Sequence, residues 1–290
     1  MLQTPPLQLP LKGEELLRQG AYMLFAGMLL LLTASCLGGK KEVAVAVEPE
    51  EEEEPLPERF ENDDLPKAAD ELFDDFFYYY ASNASLQQRR TVLPLPVKGI
   101  DGKKSQVEDS TWTPDRFFMD QGLYVRIFDT QEQTALPGDT TVDRVVVEQV
   151  FFTMDSVRQY LFLRNEGRWQ LTDISHQALR NNPNAQFLHF YHDFATDSVF
   201  QQKSLSNEIA FTGPDPDDDF ATMEGFITPD SWEAFAPELP RDSIYNIVYG
   251  PQNTWAKEKT FVICGIANGM ETTLTFRQKR GKWKLTRIDN

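Results

Sequence analysis

Only two of the 290 residues are cysteines and three are histidines. That scarcity excludes a disulfide-stapled scaffold and leaves few ligands for a zinc centre. Positive charge is also in deficit, with 28 Lys and Arg against 45 Asp and Glu and a net charge of −17. Nucleic acid is therefore not an expected partner, because phosphate binding needs a surplus of cations along one face. No apolar run reaches the roughly 18–20 residues of a membrane span. The sequence has no phosphate loop, zinc ribbon or serine-nucleophile elbow, and no cofactor is expected. What it does have is 41% hydrophobic residues, 12% of all residues being aromatic. That is enough for packed cores, and the length suits two ordinary domains.

The longest uncharged apolar stretch, Ala21 to Ala34 ("AYMLFAGMLLLLTA"), follows Lys12 and Arg18 and ends in small residues. This is the layout of a secretory signal. It runs into "LLTASC", which resembles the lipobox of bacterial lipoproteins, although Thr33 stands where Leu is usual and Leu32 lies one place earlier. The resemblance implies removal of residues 1–35 as a signal peptide and acylation of Cys36. The domains would then hang from a bacterial membrane, most naturally the outer one, in the periplasm or at the cell surface. A soluble secreted protein and an uncleaved anchor are the alternatives. Acyl chains replace a spanning helix, at about 0.8 kcal/mol per buried methylene. With Cys36 lipidated, Cys264 has no disulfide partner in the chain, and its setting in "TFVICGIA" reads as a small buried hydrophobe. Residues 36–66 then form the lipidated Cys and an acidic, Pro-rich tether. Positions 37–66 hold 11 acids and 3 bases, so self-repulsion and proline stiffness favour an extended, solvated segment.

The remainder contains an internal repeat. "FDDFFYYYASNASLQQR" (73–89) aligns with "FLHFYHDFATDSVFQQK" (187–203), and "GRWQLTDI" (167–174) with "GKWKLTRI" (281–288), both at an offset of 114. Phe73, Phe76, Phe77 and Tyr80 fall on Phe187, Phe190, Tyr191 and Phe194, with helical spacing. Asn83 and Asp197 are placed to cap a short second helix carrying the Gln pair. Asn182-Pro183 reads as the cap and first turn of the second copy's long helix. Each unit ends in β-rich runs, with Glu166-Gly167, Arg280-Gly281 and Asn268-Gly269 as hairpin turns. The boundaries expected are 67–178 for the first unit and 182–290 for the second.

Helices followed by a long antiparallel meander ending in "G-[RK]-W-x-L-T-x-I" resemble the superfamily of nuclear transport factor 2 (NTF2) and ketosteroid isomerase. That implies an α+β fold of two tandem cone-shaped domains, each with N-terminal helices packed on a curved antiparallel sheet. The tandem layout behind a lipobox is similar to uncharacterised lipoproteins of Gram-negative gut bacteria. Active members of the superfamily use the cone mouth, with an Asp base and a Tyr or acid as oxyanion donor.

The candidate residues follow from how the copies differ. The aromatic positions they share read as core, which leaves little room for substrate. The positions that diverge are Asp74/Leu188, Asp75/His189, Tyr78/His192 and Tyr79/Asp193. Tyr78, Tyr79, His189, His192 and Asp193 are therefore the candidate ligand-binding residues. His189 and His192 share a helix face but lack the further ligands a zinc site needs. Asp215, Asp217 and Asp219 in "GPDPDDDF" form half of a weak calcium loop without its turn glycine or closing Glu. The expected function is a non-enzymatic envelope lipoprotein that binds a protein, glycan or small molecule. The alternatives are an isomerase- or hydrolase-like enzyme in one cone and a purely structural spacer. An open pocket with a titratable group against an apolar wall favours the enzyme; cones plugged by rings oppose it.

Overall fold

The computed structural model describes residues 65–215 and 218–290, so Cys36, the signal segment, the acidic tether up to Asp64 and Asp217 lie outside the described residues. After a 3-10 turn at Lys67–Asp70 come α1 (Phe73–Ser82), α2 (Ala84–Arg89), β1 (Leu95–Lys98), β2 (Lys104–Val107), β3 (Leu123–Phe128), β4 (Arg144–Phe151), β5 (Ser156–Asn165) and β6 (Arg168–Ala178). A 3-10 turn at Leu179–Asn181 leads into the same order again. It comprises α3 (Ala185–Thr196), α4 (Ser198–Lys203), β7 (Leu205–Asp215), β8 (Asp218–Ile227), a short α5 (Trp232–Phe235), β9 (Ser243–Val248), β10 (Glu258–Gly265), β11 (Glu271–Lys279) and β12 (Lys282–Asp289). The result is a mixed α+β architecture with few helices and one large curved sheet.

Local chemistry accounts for most element ends. The Asn83 side chain accepts from the Leu86 N–H, and Asp197 accepts from Val199 and Phe200, so each long helix stops where the next is capped. Glu166-Gly167 and Arg280-Gly281 both take paired positive φ values, the signature of tight hairpin turns. The α3 cap differs from the sequence reading. Asn184 occupies the N-cap, and Asn182 instead accepts from the Asn184 N–H and donates into the sheet.

All twelve strands join one sheet in the order β2-β1-β6-β5-β4-β9-β3-β10-β11-β12-β7-β8. Two of them are exchanged. β3 precedes β4 in the chain yet pairs with β10, from Thr260 opposite Phe128 to Gly265 opposite Leu123. β9 precedes β10 yet pairs with β4, from Val146 opposite Val248 to Phe151 opposite Ser243. β3 and β9 meet each other in parallel through a single register pair, Val125 with Asn246.

Because alternate side chains leave a strand on opposite faces, the central strands feed two cores. Val145 and Val147 of β4, Tyr245 and Ile247 of β9, and Val262 and Cys264 of β10 join the α1 core. Val150, Ile244, Phe261 and Ile263, with Val125 and Ile127 of β3, join the α3 core. Burial on both faces explains why "TFVICG" shows no apolar-polar alternation. Each core has one aromatic hub. Phe162 lies 5.2–5.4 Å from Tyr80, Phe73 and Phe77. Phe276 lies 5.3–5.5 Å from Phe194, Phe187 and Phe190.

Two buried polar clusters tie the halves together. Glu148 on β4 accepts from Asn246 Nδ2 (3.0 Å), Asn182 Nδ2 (2.7 Å) and Gln159 Nε2 (2.9 Å), while Asn246 Oδ1 accepts from the Ile127 N–H (3.1 Å). Lys259 on β10 pairs with Asp129, just past β3, and donates to Asn184 Oδ1 at 2.5 Å. Both charged groups of that pair are almost fully buried.

Two predictions follow from this sheet. Phe276→Ala costs about 3–5 kcal/mol, and its urea unfolding stays a single transition by near- and far-ultraviolet circular dichroism, since both cores share strands. Two separated transitions would contradict that coupling. Burial raises the Glu148 carboxyl above its ordinary value of 4.5. Its stabilising contribution is therefore complete below that value and is lost as the pH rises through the folded one. The stability difference between wild type and Glu148→Gln should shrink from pH 4 to pH 8 in chemical denaturation.

Candidate functional site

The site grows out of α1. With Phe73, Phe76, Phe77 and Tyr80 turned into the core, helical spacing leaves Asp74 and Tyr78, four apart, on the flank. There they meet a wall contributed by the other half of the chain. The resulting cavity, about 450 Å³, lies between α1, the 3-10 turn at Lys67–Asp70, Phe118, Tyr124, Ile247 and the β10–β11 turn (Gly265, Ile266, Ala267). Tyr78 and Tyr79 form part of its rim, their rings 5.6 Å apart and edge to face, and Tyr78 is 40% exposed. Phe118 stacks on Tyr124 at 4.8 Å. The turn that supplies the opposite wall is fixed by its backbone. The Ile266 N–H donates to the Gly122 carbonyl (3.1 Å) and Gly265 N–H to that of Met270 (2.8 Å). A Cβ on Gly265 would fall 2.1 Å from Asn268 Oδ1, so this position tolerates no side chain while Asn268 closes the turn.

At the floor of the cavity Asp74 is engaged on both oxygens. Tyr249 Oη donates to Oδ1 and Arg126 Nη2 to Oδ2. Arg126 also donates to Tyr124 Oη at 2.9 Å and lies 5.4 Å from the centre of that ring. Burial raises the Asp74 carboxyl above the usual aspartate range, with Arg126 and the Tyr249 hydroxyl pulling the other way. Burial likewise raises the Tyr249 hydroxyl and pushes the neighbouring Cys264 thiol up to about 12. The thiol therefore stays protonated at neutral pH and is no nucleophile.

The corresponding place in the second half is filled. At the repeat offset, Leu188 replaces Asp74 and is fully buried. Phe152 replaces Ile266 and stacks on His192 at 4.7 Å. His189 lies 3.8 Å from Asp155 across the β4–β5 turn, and Asp193 is exposed on α3. Of the five residues singled out from the sequence, Tyr78 and Tyr79 line the cavity, while His189, His192 and Asp193 sit on α3, outside it. Asp215 ends β7 and Asp219 lies in β8. Among the described residues no cluster of three or more His, Cys, Asp or Glu is placed to hold a metal ion. Arg126, Tyr124, Tyr249 and Ile266 escape sequence reasoning because all four arrive from more than 40 residues away. The pattern that could have flagged Ile266 is its alignment with Phe152.

Other depressions are present among the described residues. A polar groove of about 540 Å³ crosses β3, β10, β11 and β12. Its charges are paired, with Arg287–Asp289 at 2.6 Å and Arg126–Glu271 at 3.6 Å, although Arg126 Nε and Asp289 Oδ1 have no hydrogen-bond partner. A cleft of about 270 Å³ lies over β5 and β6. The α1 cavity is the larger of the two whose walls are mainly apolar with a few convergent polar groups, the usual composition of a small-molecule site.

The fold and sequence have known counterparts. A crystal structure of an NTF2-like protein from Bacteroides fragilis shares 38% sequence identity, with a TM-score of 0.71 over 78% of this chain and 98% of the other. No curated protein matches the sequence. The family model of a domain of unknown function, DUF4348, matches residues 52–290. This chain, with its NTF2-like α+β architecture, belongs to the DUF4348 family.

Proposed function

We propose that the protein is a lipid-anchored binding module of the bacterial cell envelope, taking a small apolar ligand in the cavity beside α1. The observation that carries this reading is the asymmetry between the halves. The same structural position is an open cavity of about 450 Å³ in one half. In the other, Leu188 is buried and Phe152 packs against His192. The second half packs the same position closed, so the shared fold does not itself require the cavity. Aromatic and aliphatic walls supply the affinity, and Tyr78 and Tyr79 offer large surfaces at little cost in side-chain entropy.

A second reading, acid–base chemistry by Asp74, has one point in its favour: a titratable group does face an apolar wall. Against it, both Asp74 oxygens already accept hydrogen bonds from Tyr249 and Arg126. Lone pairs remain on both oxygens, but each of these bonds stabilises the ionised form and so weakens the carboxylate as a base. Binding is therefore the better account.

The anchor rests on the sequence: the 14-residue apolar run, the lipobox-like "LLTASC" and the acidic tether beyond it. Radiolabelled palmitate should enter the wild-type protein and not Cys36→Ala. Equal labelling of the two would remove the anchor from the proposal. For the cavity, Ile266→Phe copies the residue that fills the closed half. N-phenyl-1-naphthylamine, an uncharged apolar fluorophore, should bind the wild type saturably and the variant at least about tenfold more weakly, with the thermal midpoint unchanged. Undiminished binding to Ile266→Phe would place the site elsewhere.

A further inference from the structure

The cleft over β5 and β6 belongs to a different part of the first half and is not used by the reading above. The Asp115 loop that bounds it is clamped by Gln87 of α2. The Gln87 side chain donates to the Asp115 carbonyl (2.7 Å) and accepts from its N–H (2.9 Å). Asp115 Oδ1 then accepts from the Phe117 N–H (2.9 Å), and Oδ2 accepts from Tyr160 Oη at 2.5 Å. Phe117 holds a positive φ of 47°, a conformation bulky residues rarely adopt and one that collects at binding and catalytic sites. Tyr160 Oη in turn accepts from Arg158 Nη1 (3.0 Å). The chain from Gln87 through Asp115 and Tyr160 thus fixes the position of the Arg158 guanidinium. Preorganisation of this kind is what an ion-recognition site requires.

Arg158 has capacity left over. Its Nε is buried and has no hydrogen-bond partner, and the same is true of Trp112 Nε1; both residues line the cleft. Unpaired buried N–H groups also occur at Arg126, Arg164, Trp169 and Trp283, but here two of them belong to residues lining one cleft. The Arg158–Asp115 separation is 3.5 Å, and the Asp115 charge is already shared with Tyr160 and the Phe117 N–H. The guanidinium is therefore only partly neutralised. His176 lies beside Arg158 in the β5–β6 pairing. Burial first, then the Arg158 charge, lowers its pKa, so at neutral pH it adds hydrogen-bonding capacity without charge. The adjoining part of the lining is apolar, formed by Val97, Val107 and Ile174.

The second half again lacks the device. At the repeat offset Thr272, Leu274 and Asn290 stand where Arg158, Tyr160 and His176 do, and Leu274 is fully buried core. Tyr160 and Leu274 are both buried core, so what the second half lacks is the hydroxyl, the guanidinium and the imidazole.

We propose that this cleft is a second binding site, for a small monocarboxylate with an apolar body, its carboxylate on Arg158 and Trp112 and its body against Ile174 and Val97. Guanidinium is the side chain best matched to a carboxylate, through two parallel N–H donors. The volume, about 270 Å³, lies near the lower limit for small-molecule sites and restricts the ligand to a compact acid.

The test uses the full-length protein in isothermal titration with phenylacetate and its neutral isostere phenylacetamide. Phenylacetate should bind saturably, and phenylacetamide at least about tenfold more weakly. Arg158→Gln should abolish that preference, and Arg277→Gln, which removes an exposed cation elsewhere, should leave it intact. If Arg158→Gln does not fold, Trp112→Phe keeps the ring and loses the N–H, and should weaken phenylacetate several-fold. Equal affinity for acid and amide, a preference that survives both substitutions, or no saturable binding of phenylacetate would overturn the proposal. None of these outcomes depends on N-phenyl-1-naphthylamine binding beside α1.

Discussion

The sheet depends on what happens where β3 and β9 meet. Two strands that share a single register pair cannot hold a twelve-stranded sheet together by ladder hydrogen bonds. The Asn246 side chain supplies what the ladder lacks. Its carbonyl takes the Ile127 N–H from β3, and its amide donates to Glu148 on β4. One residue thus connects three adjacent strands, and the polar atoms it satisfies are all out of reach of water. An unpaired buried donor or acceptor costs about 1–3 kcal/mol, so the crossing is stable only as a complete network. Asn182, at the link between the halves, completes it by donating to the same carboxylate.

Lys259 and Asp129 repeat this logic at the other end of the crossing. A buried ion pair adds little net stability, because desolvation offsets attraction, but losing one partner costs several kcal/mol. Such a pair therefore acts by rejecting other arrangements. Were β3 to pair with β4, Asp129 would leave Lys259 buried without a counter-charge. The apolar surface of the central strands cannot enforce that choice alone, since Val, Ile and Phe pack acceptably in either arrangement.

This division of labour also determines what could be read in the sequence. The four rings of α1, their partners on α3, the caps at Asn83 and Asp197 and the final hairpins are local patterns, each specified within a few residues. The exchange is not local. "LYVRIF" and "SIYNIV" state that they are strands and say nothing about their neighbours, because periodicity fixes which face a side chain occupies and not which strand lies beside it. The cavity was half visible. Divergence between copies picks out Tyr78 and Tyr79 on one helix, whereas Arg126, Tyr249 and Ile266 meet them only through the crossing. The same divergence also points to His189, His192 and Asp193, because a position freed from the core can diverge toward a ligand or simply toward solvent. Gln87 and Gln201, a pair shared by both copies, turn out to be loop clamps. Gln87 holds the Asp115 loop, and Gln201 accepts from Trp232 Nε1 at 3.0 Å.

Exchange and function are connected through Asp74. It lies on the first half's helix, yet its hydroxyl donor, Tyr249, follows β9, and its guanidinium donor, Arg126, sits on the strand lent to β10. Without the crossing, Asp74 would lose both of these donors, and Ile247 and Ile266 would not face α1. The cavity is therefore a property of the crossed fold rather than of either half. A ligand held there touches strands from both halves and is released only when the shared sheet opens or the ligand leaves by the rim. Its binding energy adds to the stability of the whole molecule by the mass-action relation for any ligand specific to the native state. In a half that closed its own sheet, the same ligand would stabilise that half alone. The polar positions at which the two halves differ thus determine whether the cavity is open, while the apolar positions they share specify the same helices and sheet.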